Sequence, residues 1–448
     1  MQLSMRRLLD KAFAGTGVVS LVLLGAALLA VLAPIAWRGA GAFVFRATIE
    51  HRRLMLAMFS RGNPAEVEAA VARTRAAREP VYKMIADFEA QLAAGDPAQR
   101  HKYAKPLREL KARLRDLFGP FPGEPRPVLM RDQYGQTRWD RARVKLHRVL
   151  FREEYDYSDP TQWGRKVLRP RQEEFQGTAV EPLFAYLQAH AEEMFEPRWT
   201  LYWRFFLDES RDAHFFGGIG AEVLGTFYLA LGAMLVAVPV GVAAAVYFTE
   251  YAGGHPLVGL LRTFISTLAG VPSIVFGLFG LAFFINTAGV SRSKSVLAGS
   301  LTLGLLVLPM IIRATEEALR AVPWTYKEAA LSLGAGRGRV VATVLLPAAL
   351  PGILTGVILA LGRAAGETAP IIFTAAVSVG KPLHVWQTLS QPTPALSWNI
   401  YNLATEHAAA DEIRHVQYGM VLALVLIVLL LNVAAIVLRG RLDRRLRG

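Results

Sequence analysis

Residues 326–347 read YKEAALSLGAGRGRVVATVLLP, a polar and basic interval between two long hydrophobic blocks. Ala and Glu at Glu328, Ala329 and Ala330 favour helix, and Gly334 and Gly336 can end it and reverse the chain. Arg337 and Arg339 keep the interval out of lipid. The reading is helix, glycine turn, second helix, with Val344, Leu346 and Pro347 opening the next hydrophobic block. Composition alone favours an ordinary amphipathic loop between membrane helices; only the spacing of the whole stretch argues for more.

Outward from this interval the chain is apolar in long runs. Of its 448 residues 53% are hydrophobic, and the mean hydropathy is +0.31. Several runs exceed the roughly 20 apolar residues that cross a bilayer core, so the chain reads as an all-α integral membrane protein. Spans are expected at 18–37, 221–248, 260–285, 295–312, 344–376 and 418–438, six in all. The run at 18–37 follows Arg6, Arg7 and Lys11 and ends in Trp37-Arg38 without a clear cleavage site, which favours a span over a signal peptide. The tail, RGRLDRRLRG at 439–448, holds five arginines and one aspartate. Positive charge at both ends places the N- and C-termini in the cytoplasm, and alternation then puts the loop 313–347 inside as well.

Domains are expected at 1–38 (cytoplasmic N-terminus and first span), 39–215 (a soluble extracytoplasmic insert), 216–438 (a five-helix core) and 439–448 (basic tail). In the insert, Asn63-Pro64 and Asp96-Pro97 each pair an N-cap with a first-turn proline. They predict a helical hairpin over 64–92 and 97–118, with a bend possible at Pro80, closed by GPFPGEPRP at 119–127. Beyond it the pattern is mixed: a turn at Tyr134-Gly135, a stretch at 138–151 too basic for a buried strand, and a helix over about 180–195.

The formal charge of +14 raises the question of nucleic acid, and the insert interleaves basic residues with Trp139, Tyr155, Tyr157 and Trp163. Acids among them dilute the field and the topology points outside the cell, so a solvated interaction domain is the better reading. With no cysteine there is no disulfide and no thiolate chemistry. His101, His147, His190, His407 and His415 stand apart without metal-ligand spacing. There is no GxxxxGK[ST] loop, so the chain has no P-loop of its own for ATP, and no reaction centre or cofactor site is expected.

Glycine and proline recur inside the spans, as in LAGVPSIVFGLFG at 268–280, and close helix packing explains most of them. A proline-broken segment from Gly270 to Ser273 can also turn backbone N–H groups toward an anion. The sharpest polar feature is GRAAGETAP at 362–370, expected deep in the fifth span. Arg363 and Glu367 lie four apart and can pair on one helix face. Such a pair either fixes helix packing, or makes Arg363, with Glu367 and Thr368 beside it, an anion contact in a translocation path.

These residues resemble one family. The spacing of Glu328, Ala329, Ala330, Gly334, Val344, Leu346 and Pro347 resembles the EAA loop of ABC-importer permeases, with Val344 in place of the usual Ile. LAGVPSIVFGLFG before that interval, and GRAAGETAPIIFTAA at 362–376 and LSWNIYNLATEH at 396–407 after it, complete four motifs in the expected order, and together they resemble the PstA-type permease subunit of bacterial phosphate importers. The resemblance covers residues from about 206 to the C-terminus plus the first span; the insert at 39–205 is its departure and takes no role from it.

The resemblance implies a six-span type I importer permease with a large, mainly helical insert between the first two spans. It implies that Glu328, Ala329, Ala330, Gly334 and Pro347 belong to an ATPase-coupling loop, and that Arg363 and Glu367 take the intramembrane charged role. The implied partners are a PstC-like permease, two PstB-like ATPases and a PstS-like phosphate-binding protein, with ATP hydrolysed in the partner. Two other functions stay open on the residues: a permease for sulfate, molybdate or a phosphonate, and a membrane-anchored signalling or scaffold protein working through the insert.

Overall fold

The computed structural model describes residues 3–157, 164–253, 256–407 and 412–447; Trp163 lies outside them. Two compact units emerge, Met1–Ala42 with Trp203–Gly448, and Phe43–Tyr202. The second is narrower than the 39–215 read from sequence, because 203–215 packs with the membrane helices.

Helix α1 (Leu3–Ala40) carries a span-length stretch, Lys11–Ala40, whose most apolar window has a mean hydropathy of 2.7 and no buried residue; only at its end, where Gly39 is buried, does it pack on the chain. A helix apolar all round and uncovered by protein suits lipid.

The insert begins with β1 (Val44–Ala47) and α2 (Ile49–Phe59). Helix α3 (Pro64–Ala94) starts where Asn63 accepts from the Ala65 N–H at 3.1 Å, and α4 (Pro97–Phe118) where Asp96 accepts from Ala98 at 3.1 Å. This is the expected hairpin, and α3 runs on through Pro80. Leu107, Leu110, Leu114 and Leu117 form the buried stripe of α4 and pack with Ile85 and Phe88 of α3. After α5 (Met130–Gln133), the basic stretch 138–151 is mostly the amphipathic helix α6 (Trp139–Leu150), burying Trp139, Ala142 and Val149.

An antiparallel hairpin of β2 (Phe151–Asp156) and β3 (Arg165–Pro170) was not legible in the sequence. Its surface is charged, with Lys166 on Glu153 and Arg169 on Glu154, so no apolar alternation marks it. The helix expected over 180–195 is two, α7 (Glu181–Ala189) and α8 (Ala191–Phe195), parted at His190. Strand β4 (Arg198–Leu201) then pairs with β1, Val44 opposite Leu201, so the insert's two ends meet in one ribbon. Inside, Arg78 donates to Glu50 Oε1 at 2.9 Å and to the Met194 carbonyl at 2.9 Å, beside the stacked rings of Phe118 and Phe195. A buried cation is tolerable only with such pairing.

Strands β5 (Ser210–Arg211) and β6 (Phe216–Gly217) precede α9 (Gly220–Val246), which continues through a π turn to Tyr251. The third span, read as one run over 260–285 with a break at Gly270–Ser273, is a pair bent by 103°. α10 (Pro256–Leu268) stops there, and α11 (Ser273–Gly280) continues as a π segment to Thr287. Helix α12 (Val296–Arg320) outruns the expected 295–312 by two turns. There follow α13 (Trp324–Ser332), α14 (Arg337–Val340), a π turn at Val341–Leu345 and α15 (Leu346–Gly366).

Helix α16 (Ala369–Thr374), α17 (Leu396–Thr405) and α18 (Arg414–Arg447) complete the unit. Among the described residues five helices are long and apolar enough to span, or six if the bent pair counts as one. Small residues let them pack closely. A Cβ on Gly232 would lie 2.3 Å from Ser300 Oγ, and one on Gly356 2.3 Å from the Ala314 Cβ, so α9, α12 and α15 touch nearly backbone to backbone.

Candidate functional site: a capped surface helix and a charged helix end

The stretch at 326–347 is a helix, a glycine turn and a second helix, as its residues predict. The first helix, α13, closes in a Schellman motif: the Gly334 N–H reaches the Leu331 carbonyl at 2.9 Å and the Ala335 N–H the Ala330 carbonyl at 3.2 Å. Gly334 sits at φ +81°, and a Cβ there would meet nothing within 4 Å, so backbone conformation rather than space demands the glycine. Ala330 and Ala335 pack on Leu319 and Val340 near the ends of α12 and α14.

Glu328 and Ala329 face outward, with Glu328 Oε1 accepting from the Trp324 indole at 2.6 Å. Trp324, Tyr326, Leu331 and Leu333 are 62%, 54%, 40% and 89% exposed, an apolar surface outside the spans. One ion pair, Lys327 on Glu250, ties α13 to the π turn that ends α9. Pro347 falls in the first turn of α15; lacking an N–H and crowding the carbonyl four residues back, it is accommodated by the π turn just before it.

The second helix of the stretch runs without interruption from Arg337 to Gly366. It ends earlier than the expected 376 because Pro370 would clash with the carbonyl of Gly366, and Glu367 is already extended (φ −71°, ψ 135°). The charged pair is therefore not deep within a longer helix but at its end, Arg363 in the last turn and Glu367 just past it. Arg363 Nε donates to Glu367 Oε1 at 3.3 Å, with the arginine side chain 46% exposed and the carboxylate 18%. A cation in a last turn also suits the helix dipole.

Ser397 of α17 donates to the Glu367 carbonyl at 2.9 Å. Thr368 is half-buried at the head of α16 and makes no capping bond. Gly270 is exposed within the bend of the third span, and Ser273 opens α11. That helix meets α16 through Gly277, where a Cβ would lie 2.9 Å from the Pro370 Cα. No hydrogen bond or ion pair among the described residues joins Gly270 or Ser273 to Arg363.

Sequence reasoning missed a buried polar cluster. His214 Nε2 lies 2.9 Å from Glu222 Oε1, to which the Asn399 amide also donates at 3.2 Å, and all three side chains are essentially buried. Thr226 Oγ1 donates to the Glu222 carbonyl at 2.8 Å and accepts from the Leu396 N–H at 2.9 Å, so α9 is stitched to the start of α17. Asp212, Ala213 and His214 all have positive φ, 47°, 50° and 73°, a strained turn that the His214 contact holds in place. Glu222 sits alone in the first turn of an apolar helix, which was the one available signal; its partners are 8 and 177 residues away.

Glu222→Ala removes the acceptor shared by two buried donors and is expected to cost about 2–4 kcal/mol of stability. Glu222→Gln keeps one carbonyl oxygen and is expected to cost less than half of that. Unfolding of both variants in nanodiscs measures the difference, and equal losses would mean that the side-chain oxygen is not what holds the cluster.

Comparison with known proteins agrees with this arrangement. Residues 237–448 match the family described as binding-protein-dependent transport system inner membrane component. The chain is 37% identical over 228 residues to the probable ABC transporter permease protein YqgI of Bacillus subtilis (strain 168), across 49% of this chain and 76% of that protein. It is 37% identical over 234 residues to the phosphate transport system permease protein PstA 1 of Mycobacterium tuberculosis (strain ATCC 25618 / H37Rv), across 52% and 73%. To the phosphate transport system permease protein PstA of Yersinia pestis it is 36% identical over 222 residues, across 49% and 71%. A mainly helical membrane unit, a glycine-closed surface helix leading into a span, and these relatives together establish that the chain belongs to the inner-membrane permeases of binding-protein-dependent ABC transporters, and among them to the PstA type.

Proposed function

We propose that this permease moves inorganic phosphate into the cytoplasm by alternating access, with Arg363 as the anion contact and 326–347 as the segment that receives force from a partner ATPase. One observation supports the reading above the others. From Arg337 to Arg363 the helix is unbroken, so the glycine-closed stretch and the charged helix end terminate one rod about 40 Å long. Movement of α13 is passed to α9 through Lys327 and Glu250, and to α15 along the rod itself.

In this scheme closure of two PstB-like ATPases shifts α13 and rocks the bundle. Glu367 orients Arg363 and changes partners as the path switches sides, and Thr368, Gly270 and Ser273 line that path. The positive-inside rule supports cytoplasmic termini and a cytoplasmic 313–347, with the insert on the periplasmic side. A PstC-like permease completes the pair, and a PstS-like protein delivers the anion. Phosphate is favoured over other oxyanions by the relatives named as phosphate permeases.

Uptake of labelled phosphate into vesicles carrying the reconstituted transporter tests the choice of anion. Unlabelled phosphate is expected to compete at least about tenfold more strongly than sulfate, molybdate or a phosphonate. Stronger competition from one of those anions transfers the reading to it.

A further inference from the structure

The insert leaves one apolar surface uncovered by its own core. In the β1–β4 ribbon Val44 stands opposite Leu201 and Arg46 opposite Trp199, so these four side chains share one face while Phe45 and Ala47 share the other. The Phe45 face closes on the insert: Phe45 is 6% exposed and Ala47 fully buried, with the Arg138 guanidinium 4.0 Å from the Phe45 ring and His51 edge-on to it at 5.2 Å. His51 is held neutral there, its pKa pushed down to about 3 by burial first and then by Arg138 and Arg52. The opposite face is open. Trp199 is 75% exposed, Leu201 64% and Val44 41%, while Arg46 bends back to Glu192 and the Trp139 ring. None of its four side chains is a carboxylate.

Chain connectivity indicates what covers this face. The lipid-suited helix α1 ends at Ala40, and four peptide steps hold Val44 within about 14 Å of that end even when fully extended. Trp37, 83% exposed one turn before the end of α1, marks the level at which indoles favour the membrane–water boundary. At the other strand, Leu201 is followed by Tyr202 and then by Trp203, 58% exposed, where the chain rejoins the membrane unit. One end of the ribbon therefore lies within a few residues of a span, and the other runs directly into the unit that holds the remaining spans, the next of which opens at Gly220. Its open face pairs two aliphatic side chains with an indole, amphipathic chemistry that partitions into the headgroup and upper acyl region.

We propose that the face of Val44, Trp199 and Leu201 is a lipid-contact surface, seating the insert on the bilayer at the end of the first span. Its partner is the lipid boundary itself, and the proposal does not depend on which anion is carried.

The absence of cysteine makes the test direct. Nitroxide labels are placed singly through Val44→Cys, Trp199→Cys and Leu201→Cys in the full-length chain, with Val128→Cys, at a position 96% exposed between α4 and α5, as the aqueous reference. The variants are reconstituted in nanodiscs of phosphatidylcholine and phosphatidylglycerol, and collision rates with oxygen and with a water-soluble nickel chelate are read. At 44, 199 and 201 nickel access is expected to fall at least about fivefold below the reference while oxygen access holds or rises. Nickel access equal to that at 128 overturns the proposal. Joint loss of oxygen and nickel access also overturns it, since that pattern places protein, not lipid, on the face. Three independent positions keep the result readable if one variant fails to fold.

Discussion

Arg363→Gln is expected to abolish phosphate uptake, a loss of at least about a hundredfold, while the transporter still assembles in the membrane. The argument rests on what the guanidinium does and does not hold. Its Nε contacts Glu367, its terminal nitrogens make no hydrogen bond among the described residues, and its side chain is 46% exposed. That is a fork with donors to spare for an oxyanion, which glutamine cannot reproduce. A half-exposed ion pair adds only about 0–1 kcal/mol, so its removal is too small to unfold a membrane helix packed along most of its length. Uptake by reconstituted vesicles and co-purification of the subunits measure the two halves of this expectation. Lost assembly would instead assign Arg363 to helix packing.

Gly334→Val should leave the chain in the membrane yet uncouple transport from ATP hydrolysis, with uptake down at least about tenfold. At φ +81° a β-branched residue is strained by about 1–2 kcal/mol or more, although open space surrounds the position. The relief is to open the Schellman turn, which releases Ala335 from Ala330 and lets α13 move independently of the rod that begins at Arg337. Gly334→Asn is the informative control, because asparagine tolerates the left-handed region, and it should keep most of the uptake. Equal loss for Val and Asn would show that something other than the turn's conformation is at stake. Phosphate uptake and ATPase rate in the same vesicles separate uncoupling from simple inactivity.

Where local chemistry governs, residues and structure agree closely. Asn63-Pro64 and Asp96-Pro97 start α3 and α4 at the expected positions because an N-cap acceptor and a proline without an N–H act within one turn. Gly334 ends α13, and the third span bends beside Pro272, for reasons equally local. The helix α15 is shorter than its hydropathy indicates although the cause is local too: hydropathy continues through 376, but Pro370 forbids a helical bond to Gly366. The hydropathic signal outweighed the steric one, and the steric one decides.

The β2–β3 hairpin was illegible because its strands are surfaced by charge and held by cross-strand ion pairs, which leave no period-two apolar pattern. The Glu222 cluster was illegible for a different reason. Nothing near Glu222 in the chain says that Asn399 will arrive beside it, and a lone carboxylate at a helix start reads as an ordinary first-turn acid.

By itself the sequence determined the membrane class, the capped hairpin of the insert and the helix–glycine–helix form of 326–347, since propensity, capping and hydropathy act over one or two turns. Only the tertiary structure decided that Arg363 stands at a helix end and half-exposed, and that α17 is pinned to α9 through Glu222 and Thr226. It alone decided that the insert's ends pair and leave Trp199 and Leu201 open, because contacts between residues far apart in the chain are set by packing and by the pairing of buried polar groups, not by local pattern.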